Sequence, residues 1–125
     1  MLSKTTGLAR FYHASRYTLK GIKAAYQTEP AFRYESWMTL VLLPVAFWLA
    51  QTGLQFALLV SALLFVLIVE LINTAVEAIV DRVSTEFHVL AGLAKDVGSA
   101  AVFLALMIAL FIWCGIAWDN LYVRW

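Results

Sequence analysis

Charge is scarce in this sequence. Asp, Glu, Lys and Arg make up 14% of its 125 residues, against roughly 25% in a soluble domain. Apolar types reach 63%, so the chain reads as one compact integral-membrane unit. Cysteine occurs once, at Cys114 in an apolar run, which excludes an intrachain disulfide. The opening stretch "MLSKTTGLARFYHASRYTLKGIKAAY" carries charges throughout and has no apolar h-region, so a cleaved signal peptide is not expected. Nucleotide-binding loops are missing as well. Neither GxxxxGK followed by Ser or Thr, nor GxGxxG followed by HRD and DFG, is present. A soluble-type kinase or ATPase is excluded on motifs.

What is present is long apolar segments. A membrane span needs roughly 20 mostly apolar residues. The first candidate, residues 31–50, is apolar from Trp37 onward and contains Pro44, which is expected to kink it. The second is 54–80 and the third 97–118. "QTG" joins the first two, so they should form an antiparallel hairpin. Residues 81–96 are expected as a polar loop, 1–29 as a surface helix and 119–125 as a tail. Trp37, Trp48, Trp113, Trp118 and Tyr122 fall near span ends, as interfacial aromatics do.

Cations fix the expected orientation. Lys4, Arg10, Arg16, Lys20, Lys23 and Arg33 precede the first span, Arg82 and Lys95 lie in the second loop, and only Arg124 falls on the other side. The positive-inside rule then places the N-terminus and second loop in the cytoplasm of a bacterial cell, with the C-terminus outside its inner membrane. In the N-terminal region Leu8, Phe11, Tyr12, Leu19, Ile22 and Tyr26 share one helical face, and Arg16, Lys20 and Lys23 group on another. This pattern fits an amphipathic helix on a membrane surface rich in anionic lipid, and no nucleic-acid partner is expected.

Carboxylates interrupt the second span. Each helical residue advances roughly 100°, so Glu70, Asn73, Glu77 and Asp81 line one stripe. A carboxylate at bilayer depth costs at least about 2.5 kcal/mol and must face protein, water or a partner. Two explanations stand at this point. One is a structural polar seam that hydrogen-bonds between helices. The other is a site in which Glu77 binds a cation and Glu70 acts as a base or ion carrier, since oxygen ligands suit a hard cation. Glu29 and Glu35 could reach the same interface. Asp81 with Arg82, and Lys95 with Asp96, look like charge pairs at helix ends. "GLAKDVGSAAV" places Lys95, Asp96 and Ser99 at the expected start of the third span. Free N–H groups there favour anions, while Gly98, Ser99, Ala100 and Ala101 also permit close helix packing.

Together these segments resemble the bacterial integral-membrane diacylglycerol kinases. The resemblance rests on "TTG" at 5–7, "KG" at 20–21, "AFRYE" at 31–35, "VELINTAVEAIVDR" at 69–82, "EFH" at 86–88 and "AKDVGSAAV" at 94–102. It covers nearly the whole chain and is weakest over 38–65 and after Val102; Pro30 after Glu29 departs from the pattern. The resemblance implies an all-α homotrimer of three-span subunits with amphipathic surface helices. It implies transfer of the γ-phosphoryl of MgATP to diacylglycerol, making phosphatidate at the cytoplasmic interface. Glu70 would be the proton acceptor, with Asn73 and Asp96 also catalytic. Glu29 and Glu77 would hold Mg2+. Arg10, Tyr17, Glu29, Glu77, Glu86, Phe87, His88, Lys95 and Asp96 would bind ATP. Arg10, Ala31, Phe32, Arg33, Tyr34, Glu35, Trp48, Glu70, Ser99, Trp113 and Trp118 would contact the lipid.

Three rival functions differ in testable ways. A kinase for undecaprenol would offer a hydroxyl at the same depth. A small multidrug exporter has four spans with its key Glu in the first, whereas here the Glu is in the second of three. A structural membrane subunit would use the acids as interhelical glue and show no lipid phosphorylation.

Overall fold

The computed structural model describes residues 7–83 and 89–123. They are helical except at Glu29 and at residues 50–52. Helix α1 runs Gly7–Thr28, α2 Pro30–Leu49, α3 Gly53–Val83 and α4 Val89–Ala117, followed by a π-helical turn at Trp118–Val123. Helices α3 and α4 are long and apolar enough to cross a membrane. This architecture fits a helical membrane protein. Helix α2 has 20 residues, about 30 Å at 1.5 Å per residue.

Local chemistry sets the helix ends. Glu29 is the one extended residue between α1 and α2, and Pro30 opens α2 at the position where a missing N–H costs least. Helix α2 continues through Pro44 to Leu49 as one helix, although Pro44 cannot donate to the carbonyl four residues back. At the next turn Thr52 caps α3 by accepting from the Gln55 N–H (3.1 Å), and Gln55 Oε1 accepts from the Gln51 N–H (2.9 Å). This is a variant of the reciprocal capping arrangement.

Helices α3 and α4 cover more residues than the expected spans. Helix α3 continues to Val83 and α4 starts at Val89. Much of the segment expected as a loop over 81–96 is therefore helical, because Leu90, Leu93 and Ala94 extend the apolar periodicity of α4 toward its N-terminus.

Helix α3 is the hub. It packs most extensively on α4, then on α2, while α1 touches α2 and α3. Ala46, Leu49 and Leu59 form the buried core, with Ile112, Trp113 and Ile116 of α4 against it. The Trp113 indole donates to the Leu59 carbonyl at 3.1 Å. The core is small, and large side chains such as Phe47, Trp48, Phe103 and Phe111 point outward. In the most apolar stretches, 28% of α3 is buried inside the chain but only 6% of α4. Faces of this kind need lipid or neighbouring protein around them.

Asn120, in the π-helical turn, is 1% exposed. Its Nδ2 donates to the Leu49 carbonyl and to Gln55 Oε1, both at 2.8 Å. One amide thus satisfies the open C-terminus of α2 and ties it to the start of α3. Asn120→Ala leaves the buried Leu49 carbonyl without its side-chain donor, a loss of about 1–3 kcal/mol. Asn120→Asp should fare no better, because an ionised carboxylate cannot donate. Both variants should unfold at lower denaturant in a detergent-to-denaturant titration, and wild-type midpoints would show that Asn120 does not join the helices.

Candidate active site

The stripe expected on the second span is present on α3. Glu70 is buried, Asn73 and Glu77 are half-buried, and Asp81 is exposed at the helix end. Across from it runs α2 in the opposite direction. The Glu35 carboxyl lies within hydrogen-bond reach of Glu70, and the Glu29 carboxyl within reach of Glu77. Six residues separate Glu29 from Glu35, and seven separate Glu70 from Glu77. At 1.5 Å per residue both steps are about 10 Å. Two carboxyl pairs therefore stack along one seam, one deeper and one shallower.

The deep end of the seam carries no solution of its own to like charge among the described residues. Glu35 Oε1 and Asn73 Oδ1 are buried with no hydrogen-bond donor among the described residues. The nearby hydroxyls are committed elsewhere. Thr39 Oγ1 donates to the Glu35 carbonyl (2.8 Å) and Thr74 Oγ1 to the Glu70 carbonyl (2.9 Å). Each closes back on its own helix. Two facing carboxylates are compatible only with a shared proton or a cation between them. Among the described residues, no group of three or more His, Cys, Asp or Glu is placed to hold a metal ion. Two carboxylates with other ligands supplied by phosphate and water are, however, how Mg2+ is commonly held.

A cation lies beside the shallow pair. Lys95 of α4 forms an ion pair with Asp81 of α3 at 2.8 Å, and its charge also acts on Glu77. Lys95 precedes the apolar run that starts at Val97. The charge pairs expected from sequence, Asp81 with Arg82 and Lys95 with Asp96, give way to this bridge between helices. Adjacent helical residues point roughly 100° apart and do not face each other. Because α4 begins at Val89, Lys95, Asp96 and Ser99 lie inside the helix and not at its start.

Gly98 brings α4 onto α3. A Cβ at this position would overlap the Asn73 carboxamide. Asn73 keeps its place on the stripe only because residue 98 has no side chain.

Beside the deep pair, α2, α3 and α4 line an open cavity of about 430 Å³. Glu35 and Thr39 are its polar members, and Met38, Leu42, Leu63 and Val66 are among its apolar walls. Trp113 of α4 also lines this space. Of the residues expected to contact an amphiphile, Glu35 and Trp113 share this cavity. Trp48 and Ser99 are exposed outside it, and Trp118 stacks on Tyr122 with ring centres 4.4 Å apart. Ala31 and Tyr34 are exposed and Phe32 is buried, while Arg33 turns back onto the end of α1. Arg10 and Tyr17 stand exposed on α1. Glu86, Phe87 and His88 lie outside the described residues. Sequence reasoning missed that Glu35 is the partner of Glu70. The matched spacing of the two acid pairs was the available signal.

Comparison with known proteins gives a consistent picture. A family model described as "Prokaryotic diacylglycerol kinase" matches residues 16–117. The chain is 46% identical over 113 residues to a "Diacylglycerol kinase" of Haemophilus influenzae, covering 90% of this chain and 96% of that protein. It is 42% identical over 120 residues to the protein of the same name from Escherichia coli strain K12, covering 96% and 98%. For the one from Pseudomonas aeruginosa the identity is 48% over 111 residues, covering 89% and 90%.

The Gly98–Asn73 contact predicts a sign. Glycine to alanine inside a helix normally stabilises by about 1 kcal/mol. At Gly98 the added methyl must displace Asn73, and overpacking of this kind costs about 1–3 kcal/mol. Gly98→Ala should therefore destabilise, and adding Asn73→Ala should recover the loss. Equilibrium unfolding of the two variants checks this; a stabilised Gly98→Ala single variant would show that the contact is not tight.

Proposed function

Since this chain belongs to the prokaryotic diacylglycerol kinase family, we propose that its two carboxyl pairs form the two ends of a kinase active site. The enzyme transfers the γ-phosphoryl of ATP to the hydroxyl of diacylglycerol, giving phosphatidate and ADP. One substrate is dissolved in the membrane and the other in water, so the reacting groups must meet at the interface. A seam with an apolar cavity at one end and a lysine at the other suits that meeting, and this arrangement carries the proposal.

Diacylglycerol enters from the apolar side, with its chains against Met38, Leu42, Leu63 and Val66. Its hydroxyl lies between Glu35 and Glu70. Glu70 is the proton acceptor, and Glu35 stands opposite it in the wall of the cavity. Phosphoryl transfer needs positioning and charge stabilisation more than covalent chemistry. ATP approaches the shallow pair. Glu29 and Glu77 fit a divalent cation, Mg2+, which would offset the charge of the phosphates when bound. Lys95 supplies a fixed positive charge beside them, and Asn73 stands between the two ends of the stripe. Asp96, Arg10, Tyr17, Glu86, Phe87 and His88 complete the nucleotide side. Ala31, Phe32, Tyr34, Trp48, Ser99 and Trp118 line the path of membrane lipids.

The proposed setting is a bacterial inner membrane crossed three times, by α2, α3 and α4, with α1 on the cytoplasmic surface. A homotrimer would cover the apolar faces that one chain leaves open.

Two substitutions separate the two ends. Glu70→Gln should lower turnover by roughly 10²–10⁴-fold, the usual contribution of a positioned base, with nucleotide affinity nearly unchanged. Stability should hold, because Gln removes the like-charge contact with Glu35 and keeps the volume. Glu77→Gln should instead weaken binding of MgATP and abolish most activity. Turnover in mixed micelles, nucleotide titration and thermal unfolding measure all three quantities. Retained turnover in a destabilised Glu70→Gln protein would mean that the acid is structural.

A further inference from the structure

The joint between α1 and α2 is one residue long, and that residue is Glu29. Its backbone is extended, with φ −116 and ψ 106. The helical ladder carries on to either side, with Glu29 N–H donating to the Ala25 carbonyl (2.9 Å) and Arg33 N–H to the Glu29 carbonyl (3.1 Å). The direction of the Glu29 carboxyl therefore depends on the angle at which α1 meets α2.

Side chains of α2 fix that angle. Arg33 Nε donates to the Tyr26 carbonyl and Nη2 to the Gln27 carbonyl, both at 3.1 Å. The guanidinium also lies 5.7 Å from the centre of the Tyr26 ring. One turn further along, Trp37 Nε1 donates to Tyr26 Oη at 2.8 Å. No basic residue lies in the last turn of α1. Arg33 supplies the missing cation from the next helix, where the open carbonyls and the helix dipole favour positive charge. Two consecutive carbonyls need two donors in a fixed fork, which a guanidinium has and an ammonium lacks.

We infer that Arg33 is a positioning residue for Glu29: its grip on Tyr26 and Gln27 sets the joint so that the Glu29 carboxyl stays opposite Glu77. This role replaces the lipid contact expected for Arg33 from the family resemblance. It rests on the reading of Glu29 and Glu77 as the cation-holding pair. Trp37 supports the same joint through the Tyr26 hydroxyl.

The test combines a structural readout with binding and kinetics on the full-length protein in lipid. Without nucleotide or metal, Arg33→Ala and Arg33→Lys should both speed amide hydrogen exchange over residues 26–29. Mn2+ titrations followed by electron paramagnetic resonance, in the presence of a non-hydrolysable ATP analogue, should show metal binding weakened roughly 10–100-fold, the usual effect of losing a support behind a ligand. The KM for metal–nucleotide should rise accordingly, while the KM for diacylglycerol stays near wild type. Trp37→Phe keeps the ring, loses one donor and should give a smaller change in the same direction. If Arg33→Ala left Mn2+ binding intact and raised only the diacylglycerol KM, Arg33 would be a lipid contact and the inference would fall. Full recovery by Arg33→Lys would also overturn it, by showing that charge alone suffices. Glu29→Gln is the control for the underlying reading. If Glu29→Gln leaves Mn2+ binding unchanged, the metal assignment fails, whereas the exchange measurement still reports on the joint.

Discussion

Like charge facing like charge is the constraint on which this structure turns. At an effective dielectric of about 20, two unit charges 4 Å apart repel by about 4 kcal/mol. A small membrane protein has little stability with which to offset such a term twice. The facing pairs Glu35–Glu70 and Glu29–Glu77 persist only by sharing a proton or a cation. That requirement is also what a phosphoryl-transfer site needs: one place that takes a proton from an alcohol, and one that holds a metal beside phosphate oxygens.

The rest of the chain holds those acids in register. Antiparallel α2 and α3 bring six residues of one helix against seven of the other between the two pairs. Sliding the hairpin by one turn would part both pairs at once. Ala46, Leu49 and Leu59 close the hairpin near its turn, and Asn120 joins Leu49 to Gln55. Helix α4 approaches closely enough at Gly98 to confine Asn73, and its Lys95 meets Asp81 at the polar end. The apolar faces turned outward are left to surroundings other than this chain, whose own packing is concentrated on alignment of the seam.

Much of this was legible in the sequence. The period of Glu70, Asn73, Glu77 and Asp81 gave the stripe, because spacing within one helix fixes direction. The apolar runs gave α3, α4 and the hairpin. The partners of the stripe were harder to read. Glu35 opposite Glu70, and Lys95 with Asp81 instead of Asp96, depend on how two helices are set against each other, which no local pattern encodes. Asn120 was invisible for the same reason: an amide in a short tail reveals nothing until its acceptors, Leu49 and Gln55, are known. Arg33 gave no local signal either: its hold on the Tyr26 and Gln27 carbonyls depends on how α1 meets α2.

The Asn120 bond has a consequence for biosynthesis. The Leu49 carbonyl and the Asn120 amide are 71 positions apart in the chain, and ribosomes build from the N-terminal side. At roughly 5–20 residues per second, α2 and α3 can pair seconds before their clasp has been translated. During that interval the apex of the hairpin holds a carbonyl with no side-chain donor, and water must serve in its place. The clasp is thus the last of these contacts to form, so the alignment of the buried acids becomes final only when the end of the chain has arrived.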